Sequence, residues 1–164
     1  LPGMEVMQPG SKNEFDILFS ECYKNGNPSY IRIAADEHGF NFPVALGKGV
    51  IIKETPGAKV TIVTAGPLLG NVVDAAADLN VNILYYPTIK PFDVELLNRF
   101  TKTRILVVHD AYGLFEAVNA ACVCQAAYHG LPDAFCCFYG TLQNIRQKLG
   151  LDSAGIHAKI GALL

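Results

Sequence analysis

The sequence has no tryptophan and little charge: 17% of residues are charged, 13 Lys and Arg against 15 Asp and Glu, for a net charge of −2. Charge so sparse and so evenly signed leaves no basic stripe of the kind that grips nucleic acid or anionic lipid, so neither partner is expected. No run of about 18 apolar residues is free of charges and breakers, which excludes a membrane-crossing helix. The opening Leu1-Pro2-Gly3-Met4 is no signal peptide, and the expected location is cytoplasmic. Chemical signatures are missing as well. There is no GxGxxG turn, no P-loop lysine, no GxSxG elbow and no acidic pair at a recognisable pocket. The five cysteines, Cys22, Cys122, Cys124, Cys136 and Cys137, follow neither a disulfide framework nor a zinc-ligand spacing, and read as reduced, buried thiols.

What is present is apolar. Hydrophobic residues make up 51% of the 164, enough for one well-buried domain and too short a chain for two full-sized ones. Ser11-Lys12-Asn13-Glu14 is a capping box, with the serine hydroxyl expected to accept from the third amide and the glutamate to reach back to the cap. A helix should follow, burying Phe15, Leu18, Phe19 and Cys22, and Asn25-Gly26-Asn27-Pro28 stops it before a strand at Ser29–Ile33. With the short apolar piece at Met4–Met7, this makes a strand-helix-strand unit without its sheet.

Residues 34–56, with Gly39, Pro43, Gly47 and Gly49, read as linker plus an edge strand at Val50–Lys53. Beyond it, strands are expected at Val60–Thr64, Val81–Tyr86, Arg104–His109 and Ala134–Tyr139. Helices should fill the gaps: one from Pro67 burying Leu68, Val72, Ala75, Ala76 and Leu79, one from Asp93 burying Leu96, Leu97 and Phe100, then 114–127, 141–149 and 153–164. Such alternation predicts a three-layer α/β/α fold around a mostly parallel sheet with right-handed crossovers. Boundaries are expected near residues 1–35, 36–56 and 57–164.

In such sheets ligands gather beyond the carboxyl ends of strands, which singles out Gly66, His109 and Asp110 as crevice candidates. The turn at Gly66 could admit an anion to a helix start, though a plain packing turn is the simpler reading. His109-Asp110 could be tuned as an acid or base, but neighbours on a strand point to opposite faces, and a hydrogen-bonded structural histidine is the plainer reading. His38, His129 and His157 read as surface or packing residues. No catalytic residue, cofactor ligand or metal ligand is assigned.

Several strings in order resemble the transketolase family. Leu1–Val6 with Pro9, Glu14 and Pro28-Ser29-Tyr30-Ile31-Arg32 resembles the end of its pyrimidine-binding domain. Pro87-Thr88-Ile89-Lys90-Pro91-Phe92-Asp93 resembles the turn "TIKPLD" of its carboxy-terminal domain, with Pro91 expected at a helix start and Asp93 at its cap. Val60–Gly66 with Ala75-Ala76-Ala77, and Gly150-Leu151-Asp152 with Ile156, resemble further parts of that domain. The resemblance implies a fragment comprising the tail of the pyrimidine domain and the carboxy-terminal domain. It would bind no cofactor itself and would support a homodimer with the remaining domains of a parent enzyme that uses thiamine diphosphate and magnesium for ketol transfer between sugar phosphates. The sequence has no GDG…N stretch for magnesium diphosphate and no segment bearing the pyrimidine-activating glutamate. Ala35 stands where relatives often carry a phosphate-binding arginine, and His109 where an acidic residue is common, which leaves Arg32 as the substrate-binding candidate. The end of a 2-oxo acid dehydrogenase beta subunit, or a free-standing small-anion or nucleotide binding module, are the alternatives.

Overall fold

A computed structural model describes residues 2–121, 126–135 and 137–164. Its larger sheet has five strands in the order β3 (Val50–Lys53), β5 (Asn82–Tyr85), β4 (Val60–Thr64), β7 (Arg104–His109) and β8 (Ala127–Gly130). β3 runs antiparallel and the rest are parallel. The period of two along the strands sorts side chains between two cores. Val60, Ile62, Ile83, Tyr85, Leu106 and Val108 face α2 (Leu69–Ala75) and α6 (Ser153–Gly161). Val63, Leu84, Ile105 and Val107 face α3 (Val94–Asn98) and α4 (Leu114–Ala121). Helices therefore cover both faces, as a parallel sheet requires, and the expected three-layer architecture is present.

The amino-terminal unit does find a sheet. β1 (Glu5–Met7) and β2 (Ser29–Ile31) pair in parallel, with α1 (Lys12–Cys22) as their crossover, and β6 (Thr88–Lys90) adds to β1 antiparallel. The segment expected as a turn between strand and helix is thus itself a strand. Its consequence is that Pro91 lies ahead of α3 and not at its first turn, while Asp93 caps the helix by accepting from the Leu96 amide at 3.1 Å.

Two further expectations are corrected. The described residues of the strand expected at Ala134–Tyr139 form none: Phe135 and Tyr139 are each 98% exposed, and the sheet edge beside β7 is occupied by β8, with Ala127 opposite Leu106. An apolar run was mistaken for a buried one because composition does not say whether a neighbouring strand is already paired. Ala127, assigned to the helix from Leu114, therefore belongs to β8, and α4 is described to Ala121. Cys122, Cys124 and Cys136 lie outside the described residues. Of the remaining cysteines, Cys22 is buried as expected, whereas Cys137, expected to be buried, is exposed.

The two sheets are clamped by Glu14. Ser11 caps α1 as expected, but the Glu14 carboxylate reaches past the cap to the Gly10 amide, 2.7 Å away. It also accepts from the Tyr85 hydroxyl at 2.6 Å and lies 2.7 Å from Nε2 of His38. Nδ1 of His38 accepts from the Phe40 amide, so Nε2 carries the proton and donates to Glu14. Burial, followed by the Glu14 charge, pushes the Tyr85 hydroxyl well above its ordinary value, so it stays a donor. The α1 face turned inward is consequently Glu14, Leu18 and Cys22, and Phe19, expected to be buried, is exposed.

Tyr85→Phe should cost about 1–3 kcal/mol, because it strips a buried carboxylate oxygen of a donor, and should lower the melting temperature by roughly 2–4 °C per kcal/mol. Phe135→Ser should leave thermal unfolding within about 0.5 kcal/mol of the parent. A large loss there would mean that the 134–139 segment is packed after all.

Candidate functional site

Gln8 stands at the centre of the strand-end crevice. Its amide donates to the Pro87 carbonyl at 2.8 Å, and the Arg32 amide donates to Met7 at 2.9 Å, which sets the chain leaving β1 over the carboxyl ends of β4 and β7. The side-chain Nε2 donates to Oδ1 of Asp110 at 3.1 Å, and Oε1 lies 2.7 Å from Nε2 of His109. A carboxylate only accepts, so Asp110 fixes which end of the Gln8 amide faces it. The oxygen left facing His109 then requires the proton on His109 Nε2.

His109 is fully buried. That burial lowers its pKa to about 4; the Asp110 charge opposes the shift and Arg32 adds to it. The imidazole is therefore neutral at physiological pH, its proton committed to Gln8. His109 and Asp110 communicate through the intervening amide, an arrangement that holds geometry and does not form a base-and-acid pair.

Asp110 collects charge from two directions. Arg32 donates Nη1 to Oδ1 at 2.8 Å and Nη2 to the Asp110 carbonyl at 3.2 Å. Arg146, from α5 (Leu142–Lys148), lies with Nη2 3.6 Å from Oδ2 and pairs through Nη1 with Asp36 at 2.6 Å. Burial works against the Asp110 charge, but the hydrogen bond and charge of Arg32 outweigh it and hold the carboxyl below its usual range.

Gly66 explains why the crevice is closed. Its φ is +65°, and a Cβ there would stand 2.5 Å from Gln8 Nε2. The turn that could have received an anion is filled by the glutamine amide. The sequence-selected positions Arg32, Gly66, His109 and Asp110 are thus brought around one residue that carried no signal of its own. Gln8, Asp36 and Arg146 were all missed: an arginine in a polar helix and a glutamine before Pro9-Gly10 look like surface residues. His38, read as a surface or packing residue, is a packing one, buried against Glu14. His129 and His157 do hydrogen-bond backbone carbonyls, of Gly150 and Ala75.

Outside the filled crevice a cleft of about 360 Å³ remains, with Arg32, Asp110, Gln8, Tyr30, Tyr112 and Leu131 in its wall. It offers one half-exposed guanidinium beside aromatic and aliphatic surface, with no nucleophile next to a base.

Residues 47–156 match the transketolase carboxy-terminal domain. The chain belongs to that family. Over 98% of its length it is 29% identical to the 1-deoxy-D-xylulose-5-phosphate synthase of Pasteurella multocida and 30% identical to that of Bordetella avium, in each case covering 28% of the longer protein. In fold it is similar over its whole length to 59% of a solved chain titled a split gene transketolase, inactive beta4 tetramer, with a TM-score of 0.87 at 24% identity. Campylobacter jejuni transketolase superposes with a TM-score of 0.76 at 18% identity, over 98% of this chain and 26% of that one. The chain therefore spans about a quarter of the curated relatives it matches.

A cofactor with a diphosphate and a divalent cation does not fit the residues described here. The turn after β4 is filled by Gln8, and among the described residues no group of three His, Cys, Asp or Glu side chains is placed to hold a metal.

Because His109 is neutral when folded and has an ordinary value near 6.5 when unfolded, its contribution to stability is complete above pH 6.5 and is lost as pH falls toward about 4. Across that window the loss should be on the order of 3 kcal/mol. Chemical denaturation of the parent and of His109→Gln at several pH values tests this, since the variant should lack that part of the slope. Gly66→Ala should destabilise by about 1–3 kcal/mol through the positive φ and the collision with Gln8, and an unchanged denaturation midpoint would contradict the packing described.

Proposed function

We propose that this chain supplies the carboxy-terminal, supporting section of a thiamine-diphosphate-dependent enzyme of the transketolase family, and that cofactor and magnesium are held by other domains of that enzyme. The observation that carries the reading is the combination of a family domain that matches with a strand-end crevice already filled by Gln8. The parent reaction is ketol-type transfer to or from a sugar phosphate; the curated relatives are named as 1-deoxy-D-xylulose-5-phosphate synthases. The whole assembly is a cytoplasmic homodimer that engages neither nucleic acid nor membrane. Sparse, evenly signed charge bears on the first of these last two, and the absence among the described residues of a helix long and apolar enough to cross a membrane bears on the second.

Within that assembly Arg32 is the group that meets the substrate phosphate. It is the half-exposed arginine of the cleft, and Asp110 pre-orients it at two of its nitrogens. A planar guanidinium suits phosphate oxygens, and its orientation by a buried partner lowers the entropic cost of binding.

The test is turnover of the purified chain with thiamine diphosphate and magnesium, assayed for ketol transfer and for 1-deoxy-D-xylulose 5-phosphate, alone and with the polypeptide from the same source that carries the family's cofactor-binding domains. The chain alone should neither turn over nor bind the cofactor by calorimetry, and the mixture should be active. Arg32→Ala in the mixture should lower kcat/KM roughly ten- to a hundredfold, chiefly through KM. Saturable turnover by the chain alone would overturn the reading.

A further inference from the structure

The charged groups behind the cleft form one line. Arg32, Asp110, Arg146 and Asp36 alternate in sign and join the residue after β2, the residue after β7, the helix α5 and the connection from β2 to β3. Oδ1 of Asp110 accepts from Arg32 at 2.8 Å and from Gln8 at 3.1 Å. Oδ2 faces Nη2 of Arg146 at 3.6 Å, which keeps the charges in contact but exceeds the about 2.7–2.9 Å of a charged hydrogen bond.

Arg146 alone is buried in α5, at 9% exposure. Its Nη1 is taken by Asp36 at 2.6 Å, while Nε and Nη2 are closed off from solvent and have no hydrogen-bond partner among the described residues. A guanidinium does not lose its proton in a protein, so these N–H groups remain a cost until an acceptor comes within reach. Closed off as they are, they cannot meet a ligand in the cleft of about 570 Å³ that Arg146 helps to wall. Whatever Arg146 does, it does through another residue, and the acceptor at hand is Oδ2 of Asp110.

That matters for Arg32. A guanidinium paired with one carboxylate has its charge largely cancelled, and a cancelled pair attracts an anion weakly. With a second cation at the same carboxylate, Arg32 keeps part of its charge for the cleft.

We infer that Arg146 and Asp36 are positioning residues for Arg32, acting through Asp110. Arg146 takes a share of the Asp110 charge, Asp36 limits that share by holding Nη1, and the remainder decides how firmly Arg32 is held and how free it is toward an anion. This rests on the reading of Arg32 above and names the residues that regulate it. The two act in opposite directions. Without Arg146, Asp110 belongs to Arg32 alone, which is drawn away from the cleft. Without the Asp36 charge, Arg146 closes on Oδ2 of Asp110 and Arg32 is released. Because Asp36 reaches Arg32 through Arg146, its effect vanishes when Arg146 is gone, whereas charges acting directly through space would add.

The test is a double-mutant cycle of Arg146→Gln, Asp36→Asn and the two combined, with inorganic phosphate as the probe, counting the part of the binding that Arg32→Ala removes. Arg146→Gln should weaken that binding about fivefold or more and Asp36→Asn should strengthen it about threefold or more, with the combined variant indistinguishable from Arg146→Gln. In the protein without phosphate, NMR should show the Arg32 side-chain N–H protons exchanging with water faster in Asp36→Asn and slower in Arg146→Gln, opposite shifts that lost packing alone would not give. If Arg146→Gln does not fold, Asp36→Asn still decides, because Asp36 is partly exposed and the exchange at Arg32 must quicken. Equal Arg32-dependent phosphate binding and equal exchange in all variants would overturn the positioning and leave Arg32 as the phosphate group. An additive cycle would overturn it as well, in favour of charge acting at a distance. Exchange that shifts as expected, with phosphate binding that Arg32→Ala does not alter, would uphold the positioning and overturn the reading of Arg32 as the group that meets the phosphate.

Discussion

Glu14 is a carboxylate removed from water, and much of the amino-terminal half is arranged so that it can be. An unpaired buried charge would cost several kcal/mol, so its donors must be held in place. They come from separate segments: the Gly10 backbone, His38 in the long connection after β2, and Tyr85 on the central sheet. Gly10 has no room for a side chain, since a Cβ would lie 2.3 Å from the His38 ring and 2.8 Å from the Gly66 carbonyl carbon. The short sheet is thereby pressed against the end of the long one. Once Gly10 is placed, Gln8 two residues earlier falls into the crevice, the His109 tautomer follows from Gln8, and Arg32 follows from Asp110.

This chain of dependences bears on chemistry. Crevices at strand ends usually serve ligands, but here the space is taken by the protein's own amide. Its imidazole is neutral and committed, and its carboxylate is held by arginines. The same polar groups that would suit a small catalytic site have been turned to joining two sheets. What stays available is the guanidinium of Arg32 at the edge of the cleft. That division is what the proposed supporting role rests on.

Much of the large sheet was legible in the sequence because its strands are short apolar runs bounded by breakers, and burial on both faces demands such runs. Val60–Thr64 and Arg104–His109 could hardly be anything else. The capping serine and the Asp93 cap were legible for the same reason, being local chemistry. Pairing across long sequence distance was not. Thr88–Lys90 became a strand only because β1 reached it, and the described residues of 134–139 form none because Ala127–Gly130 had already taken the edge. The site shows the same limit. Arg32, Gly66, His109 and Asp110 were selected by position at strand ends, whereas Gln8, Asp36 and Arg146 act through partners 100 or more residues away. Nothing local marks a residue whose role is set by such a partner.

The central claim is that the amino-terminal unit is locked to the main sheet through Glu14 and Gln8 and opens only with it. Native-state hydrogen exchange measures this directly, comparing the amides of Met7 and Gln8 with that of Ile62 in β4. The account predicts the same opening free energy at all of these positions, within about 1 kcal/mol. Exchange at Met7 and Gln8 faster than at Ile62 by a factor of about a hundred or more, with Ile62 unaffected, would show an independently fraying unit and contradict it.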